Sequence, residues 1–509
     1  MLQSIIRRII KTLPRGEGQS PGFDFPAAVN KYAGRLESEW MKRSEPPLLF
    51  SKRIGLVVSP WLFTPAPFFM LELALQLRLA GHPVEVLWDG GNVFVDAAKP
   101  RELAVLRPLL GRLPSWLPLV DIATLPAAAR ETPDFLEELL YENAVRHLRG
   151  EAGAEDFIST HPMWKIEMSK HAAQVEGFLR SGRSDLVCIP GGVWASSGVW
   201  RKLCDKLGIP YTTYDSGPGQ MFVSQNSVAA HFGDIRDTLE TLIRSGDDLH
   251  PLVELAKKAL QTRMEGRDPF ALQKTVRTDA GEKYDVFVPL NLRFDSAALC
   301  RKRLFRSVTE WLQQLLERLA LRPALSVAIR QHPCERIEGF RSRDSWEQIL
   351  APFLRSGGQV RFFSAESDVN TYDLIEGAKV VLPFTSRVGI EAAMMGKPVV
   401  TSALCYYNDC GFTVAPDSAE SYFATIDQAM AGDHKPDEQA RLRAAIAYYL
   451  MEYCSALSSR FTPQPADYFS WIDRPVQELA TSDELRMIVQ SASGVTPMTQ
   501  LLHSKRHRK

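Results

Sequence analysis

Short apolar runs rich in valine and isoleucine recur along this chain, each bounded by glycine or proline and followed by residues at helical spacing. This alternation restricts the fold more than any other feature, because continuous apolar strands suit a parallel sheet covered by helices on both faces. In the first half, Arg53–Ser59 is such a strand. A helix over Phe68–Ala80 ends at Gly81, and His82–Trp88 is the next strand. Asp185–Pro190 and Pro210–Tyr214 then bracket a helix near Val199–Leu207. From Ile243 to Lys283 the sequence is polar and weakly patterned, as expected of a passage between domains. The alternation then restarts with strands at Tyr284–Pro289, Ser326–Arg330, Val360–Phe363, Lys379–Pro383 and Pro398–Thr401. The pattern predicts an α/β protein with two doubly wound, Rossmann-like domains and a ligand cleft at the carboxyl ends of their strands. We divide the chain into a lead-in over 1–50, a first domain over 51–280, a second over 281–435, and C-terminal helices with a basic tail over 436–509.

The 509 residues allow two to four domains at roughly 100–200 residues each. Sixty basic residues balance sixty acidic ones, which argues against a dedicated nucleic-acid binder, since such proteins need a positive surplus to displace counterions. Seven scattered cysteines, with no Cys-x-x-Cys pair, fit reduced thiols of a cytoplasmic protein and not a disulfide scaffold or a zinc site. No run of about 20 apolar residues is long enough to span a membrane. The opening MLQSIIRRIIKTL is a basic amphipathic helix that either lies on an anionic membrane surface, giving a peripheral association, or docks on the protein. The tail HSKRHRK is a second small basic patch.

The densest chemistry lies at two strand ends of the second half. The strand ending at Arg330 runs into Gln331-His332-Pro333-Cys334-Glu335, which places a histidine at a parallel strand's carboxyl tip. There an imidazole can donate a hydrogen bond or a proton to a phosphate oxygen. Lys379–Pro383 leads into Phe384-Thr385-Ser386-Arg387, small hydroxyl residues where a helix opens, and such a place suits an anion. Glu391, one turn into that helix, either accepts hydrogen bonds from ribose hydroxyls or is a solvated carboxylate.

HPCE, FTSRVGIEAAMMGKPVV and ALCYYNDCGFT together resemble the donor domain of bacterial capsule polysaccharide biosynthesis proteins, a group that includes the GT-B Kdo transferases of capsule and lipopolysaccharide assembly. His332, Glu335, Ser386, Glu391, Gly396, Lys397, Pro398, Tyr407, Gly411 and Thr413 match that pattern over about a quarter of the chain. The resemblance implies a GT-B-like fold. Arg330, His332, Glu335, Thr385, Ser386 and Glu391 would form the nucleotide-binding set, with His332 and Ser386 on the donor phosphate and Glu391 on the ribose. It implies no cofactor and no metal, only a nucleotide-sugar donor, and CMP-activated Kdo is the donor it suggests.

The first half should supply the acceptor side and an acidic catalytic group. Asp215 follows the strand end at Tyr214, beside Gly217, Pro218 and Gly219. Capsule-type Kdo transferases carry an acidic-Asp-Gly turn at a similar place, whereas here Tyr214 precedes Asp215 and Ser216 separates it from Gly217. Asp215 would act as a base toward the acceptor hydroxyl or as a nucleophile at the anomeric carbon, or else simply starts a turn. His231 and Asp234 are secondary candidates. Gly191, Gly192 and Trp194 follow a strand and precede a helix, where backbone amides can cradle an anionic acceptor, and Trp61 can stack on a sugar ring.

The expected activity is transfer of a sugar from a nucleotide donor to a glycan or lipid-linked acceptor of bacterial surface polysaccharide. The alternatives are a noncatalytic scaffold or glycan-binding subunit of an assembly or export complex, and a nucleotide-sugar epimerase.

Overall fold

The structure is a computed structural model that describes residues 25–60, 66–90, 100–127, 133–217, 219–267, 282–322, 324–354, 359–460, 462, 470–474, 478 and 481–507. The N-terminal thirteen residues, Trp61 and the last two residues of the basic tail lie outside them.

The first half runs α1 (Phe25–Arg35), β1 (Ile54–Val58), α2 (Ala66–Leu79), β2 (Val84–Trp88), α3 (Pro100–Leu110), β3 (Leu119–Asp121), α4 (Phe135–Leu148), α5 (Ala154–Thr160) and α6 (Pro162–Arg180). It continues through β4 (Leu186–Pro190), α7 (Ala195–Leu207), β5 (Tyr211–Gly217), β6 (Gln220–Gln225), α8 (Ile235–Ser245) and α9 (His250–Met264). The second half comprises β7 (Tyr284–Pro289), α10 (Val308–Ala320), β8 (Val327–Arg330), α11 (Trp346–Leu354), β9 (Val360–Phe363), α12 (Thr371–Gly377), β10 (Ala378–Val381), α13 (Val388–Met394), α14 (Ala419–Ala431) and α15 (Glu438–Cys454). The chain ends with β11 (Leu457–Ser458), α16 (Asp483–Ala492) and α17 (Met498–His507).

The first sheet has the order β11-β6-β5-β4-β1-β2-β3. Its strands β3-β2-β1-β4-β5 are all parallel, and β6 and β11 extend it as antiparallel additions. The second sheet, β10-β7-β8-β9, is parallel throughout. These are two doubly wound α/β layers, as the double alternation predicts. Both strand orders reverse direction, in the first sheet at β1/β4 and in the second at its edge pair β7/β10, and crevices form where such reversals occur. The sequence explains the central strands well. Ile54–Val58 is buried at every position, so both faces need apolar residues.

Three departures from the sequence reading bear on the site. Strand β5 does not stop at Tyr214 but continues to Gly217, because Asp215, Ser216 and Gly217 pair with Phe222, Met221 and Gln220 in a hairpin. The predicted strand Pro398–Thr401 is reduced to two single bridges, Val381–Val399 and Val400–Val414. The weakly patterned passage after Ile243 contains α9, which packs on α15, and α15 packs in turn on α8, α13 and α17. Residues Ala444–Leu450 of α15 are buried all round, so apolar side chains on every face replace the usual amphipathic stripe. The chain then returns to the first sheet: β11 pairs with β6, and the carbonyl of Ala492 in α16 accepts from Thr212 at 2.8 Å.

Candidate functional site

The second sheet presents its strand ends as three adjoining loops, after β7, β8 and β10. His332 is built into the second of these. Its Nδ1 accepts the backbone N–H of Cys334 at 3.2 Å, which caps the short 3-10 turn Pro333–Arg336. The neutral ring must therefore carry its proton on Nε2, and no partner holds Nε2 among the described residues. Burial, followed by the guanidinium groups of Arg330, Arg263 and Arg387, pushes the imidazole down to about 4. Near neutral pH the ring is an uncharged donor facing a concentration of positive charge, an arrangement suited to an anionic ligand.

The loop after β10 supplies the neighbouring polar groups. Thr385 is buried, and its N–H donates to Asn291 Oδ1 at 3.2 Å from the loop after β7. Its hydroxyl has no hydrogen-bond partner among the described residues. A buried hydroxyl left unmade is unfavourable, so a polar ligand atom would complete it. Ser386 lies alongside, with its Oγ accepting the Val388 N–H at 3.3 Å and its carbonyl accepting the Tyr407 hydroxyl at 2.6 Å. The helix that follows begins at Val388 rather than Ser386 and is only seven residues long. Any attraction for an anion here would therefore come from side chains and nearby guanidinium groups more than from a helix dipole.

Beneath these loops is a charged network that the sequence did not reveal. Glu391 is neither solvated nor open to a ribose in this structure. It is 2% exposed, and its Oε1 is 3.4 Å from Arg263 Nε on α9. Arg263 also approaches Glu452 on α15 at 3.9 Å, and Arg387 donates to the same carboxylate. Burial raises the Glu391 carboxyl despite Arg263 and Arg387 beside it. A carboxylate enclosed by α9, α13 and α15 requires cations there. Arg263 and Glu452 escaped the sequence reading because each lies on a helix remote in sequence from the loops it supports.

Two residues expected to bind nucleotide have structural occupations. Glu335 is 2% exposed, and its two oxygens accept from Trp346 Nε1 at 3.1 Å and Ser342 N at 3.2 Å. It anchors the following loop and α11. The Arg330 guanidinium turns to the backbone carbonyls of Phe363, Ser364 and Ser367 after β9, and burial lowers it to about 10. It thus acts on His332 through its charge.

The acceptor-side expectations also need correction. The Gly191 N–H donates to the Tyr214 carbonyl, the Gly192 N–H to Pro190, and the Ala195 N–H to Asn143 Oδ1. Those amides are engaged within the protein, so the turn is not a ready cradle for an anion. Gly192 has φ +86°, and a Cβ there would lie 2.9 Å from Thr213 Cγ2, which accounts for glycine at this position. The Trp194 ring stacks with the Arg146 guanidinium at 4.5 Å. Asp215 sits inside the β5–β6 hairpin, one residue past Tyr214, where the parallel pairing of β4 with β5 ends at Pro190. It therefore stands just beyond the carboxyl edge of the parallel ladder. His231 Nε2 bonds the Ser296 carbonyl at 2.6 Å, and Asp234 accepts from Ser224 and Gln225, so both join segments of the fold. Among the described residues no helix is long and apolar enough to cross a membrane.

Comparison with known proteins bears on the same half of the chain. Residues 243–454 match the family described as capsule polysaccharide biosynthesis protein, a span that includes Arg263, His332, Thr385, Glu391 and Glu452. No curated protein matches the sequence. Among solved structures, the chain is similar to Thermosulfurimonas dismutans KpsC, beta Kdo 2,7 transferase. That match has a TM-score of 0.32 and 15% identity, and covers 56% of this chain and 82% of that one. It is also similar to UDP-GlcNAc 2-epimerase from Neisseria meningitidis bound to UDP-GlcNAc. Here the TM-score is 0.25 at 12% identity, over 78% of this chain and 95% of that one.

Proposed function

We propose, from the premise that residues 243–454 are a capsule polysaccharide biosynthesis segment, that this protein is a glycosyltransferase of surface polysaccharide assembly. It moves a sugar from a nucleotide-activated donor to a glycan or lipid-linked acceptor. The observation that carries the reading is the His332 ring, held neutral among three guanidinium groups with Nδ1 engaged by the backbone, together with the unpartnered Thr385 hydroxyl in the loop after β10.

In this reading the donor phosphate accepts from His332 Nε2 and Thr385 Oγ1, next to Ser386. As the bond to the anomeric carbon breaks, negative charge grows on the leaving phosphate. The fixed donor and the nearby cations offset that charge without rearranging, and such preorganised groups commonly contribute the largest share of rate enhancement. No metal is required for that step. Asp215, at the edge of the first sheet, acts on the acceptor side, either by taking the acceptor hydroxyl proton or by attacking the anomeric carbon. Glu391 reaches ribose hydroxyls only if a bound nucleotide draws it from Arg263. CMP-activated Kdo is the donor we favour, on the strength of the sequence resemblance.

Incubating the protein with CMP-Kdo, and separately with UDP-sugars, in the presence of a capsule-type glycan tests the reading. The expected result is an acceptor extended by one sugar with stoichiometric release of nucleotide. Release of an isomerised or hydrolysed sugar without acceptor extension would overturn it.

A further inference from the structure

The turn between α4 and α5 meets the second half of the molecule through an unusual two-way arrangement. Glu151 extends its carboxylate to the start of α10, where Oε1 accepts the Val308 N–H and Oε2 the Thr309 N–H, each at 2.9 Å. Ser307 Oγ accepts the third amide, from Glu310, at 3.0 Å. The first turn of a helix in one half is thus capped largely by a carboxylate from the other. The reverse contact is made by Asp344, whose Oδ2 accepts the N–H groups of Glu151 at 2.6 Å and Ala152 at 3.1 Å. Arg149, in the left-handed region at φ 57°, donates to the carbonyls of Glu338 and Arg341 at 2.9 and 2.6 Å. Gly150 passes so close that a Cβ would lie 2.3 Å from Asp344 Oδ1.

This contact leads back to the donor loop. Arg293 bonds Asp344 at 3.0 Å and lies 3.8 Å over the Trp346 ring. Trp346 donates to Glu335, which also holds Ser342 and follows His332 by three residues. The chain itself crosses between the two sheets only after α9 and after α15, so the 149–152 contact is a separate, noncovalent tie.

We propose that Arg149–Ala152 is a reversible clasp between the two halves, and that its engagement holds the 335–346 segment against which the His332 loop is built. Its groups are carboxylates, amides and carbonyls that water satisfies when the contact opens, whereas the adjoining apolar cluster of Ala144, Val145 and Ala154 with Phe294 and Leu299 favours the engaged form. The clasp stands whether or not the protein transfers sugars. Only its consequence for donor binding rests on the proposed function.

Hydrogen–deuterium exchange and small-angle scattering of the full chain test this without any ligand, using Glu151→Ala and, independently, Gly150→Ala. Far-ultraviolet circular dichroism identifies a variant that fails to fold. With Glu151→Ala, exchange should quicken by about tenfold or more in peptides covering 307–310, 149–152 and 338–344 together, and the radius of gyration should rise. Gly150→Ala should reproduce that pattern through the opposite side of the contact. Faster exchange confined to 307–310, with unchanged scattering, would show that Glu151 is only a local helix cap and would overturn the clasp. If both variants open and nucleotide affinity stays at the wild-type value, the link to the His332 loop is overturned.

Discussion

The glycine turn after β4 and the loops after β8 and β10 occupy equivalent places, at strand ends near the points where the two sheets reverse direction. They differ in what their polar groups do. In the first, the amides of Gly191, Gly192 and Ala195 are already bonded to the protein, and Trp194 is covered by Arg146. In the second, the His332 ring is engaged by the backbone at Nδ1, which leaves its proton on Nε2, and Thr385 Oγ1 has no partner among the described residues, although burial makes that hydroxyl unfavourable without one. The difference separates a turn whose amides serve the fold from a loop set whose open polar groups carry the ligand site proposed above. A motif search reads both as anion sites because both are rich in small residues at strand ends.

The sharpest way to break the comparison is to disturb the charged support under the second region. Arg263→Met removes the nearer of the two cations beside the buried Glu391, leaving Arg387, and should destabilise the fold by about 3 kcal/mol in denaturant titration. The double variant Arg263→Met/Glu391→Gln should recover much of that loss. A single variant within about 0.5 kcal/mol of wild type would mean that the network is not needed.

The next effect concerns protonation. With its folded pKa lowered to about 4, His332 binds fewer protons folded than unfolded, so its contribution is present above the ordinary imidazole range and is lost as pH falls toward 4. Between pH 4 and 7 the stability difference between wild type and His332→Gln should therefore shift in favour of wild type with rising pH, by at most about 3 kcal/mol. Wild-type and variant curves that run parallel would contradict a ring held neutral by its surroundings.

Gly192→Ala addresses the first region. Its positive φ and the nearby Thr213 methyl should cost about 1–2 kcal/mol of stability, with nucleotide affinity unchanged. A selective loss of ligand binding would return that turn to the site. The smallest effect should come from Thr385→Val. Removing an unpartnered buried hydroxyl should leave stability equal or slightly higher, yet weaken nucleotide binding by about 1 kcal/mol.

The sequence made legible what depends on local pattern. The buried strands β1 and β7 and the edge strand β9 follow from their apolar or β-branched runs, and His332 could be placed at a strand end by counting from Ser326–Arg330. What was lost depends on distant partners. Strands β3 and β11 have three and two residues, too short to produce a periodicity, and β6 is defined by a hairpin with β5. A carboxylate such as Glu335 looks the same in sequence whether it binds ribose or Trp346. Only the fold brings Arg263, Glu391 and Glu452 together, from three helices, to form the support of the site.

The central claim is that the His332 and Thr385 loops bind the phosphate of a nucleotide, and calorimetric titration of CMP, UMP, UDP and GDP into wild type and His332→Ala tests it most directly. The account predicts that one nucleotide binds selectively and that affinity falls about 10–100-fold in the variant, as expected for losing a hydrogen bond to a charged group. Binding that is equal in both proteins, or absent from the folded wild type, would contradict it and favour a scaffold role for this fold.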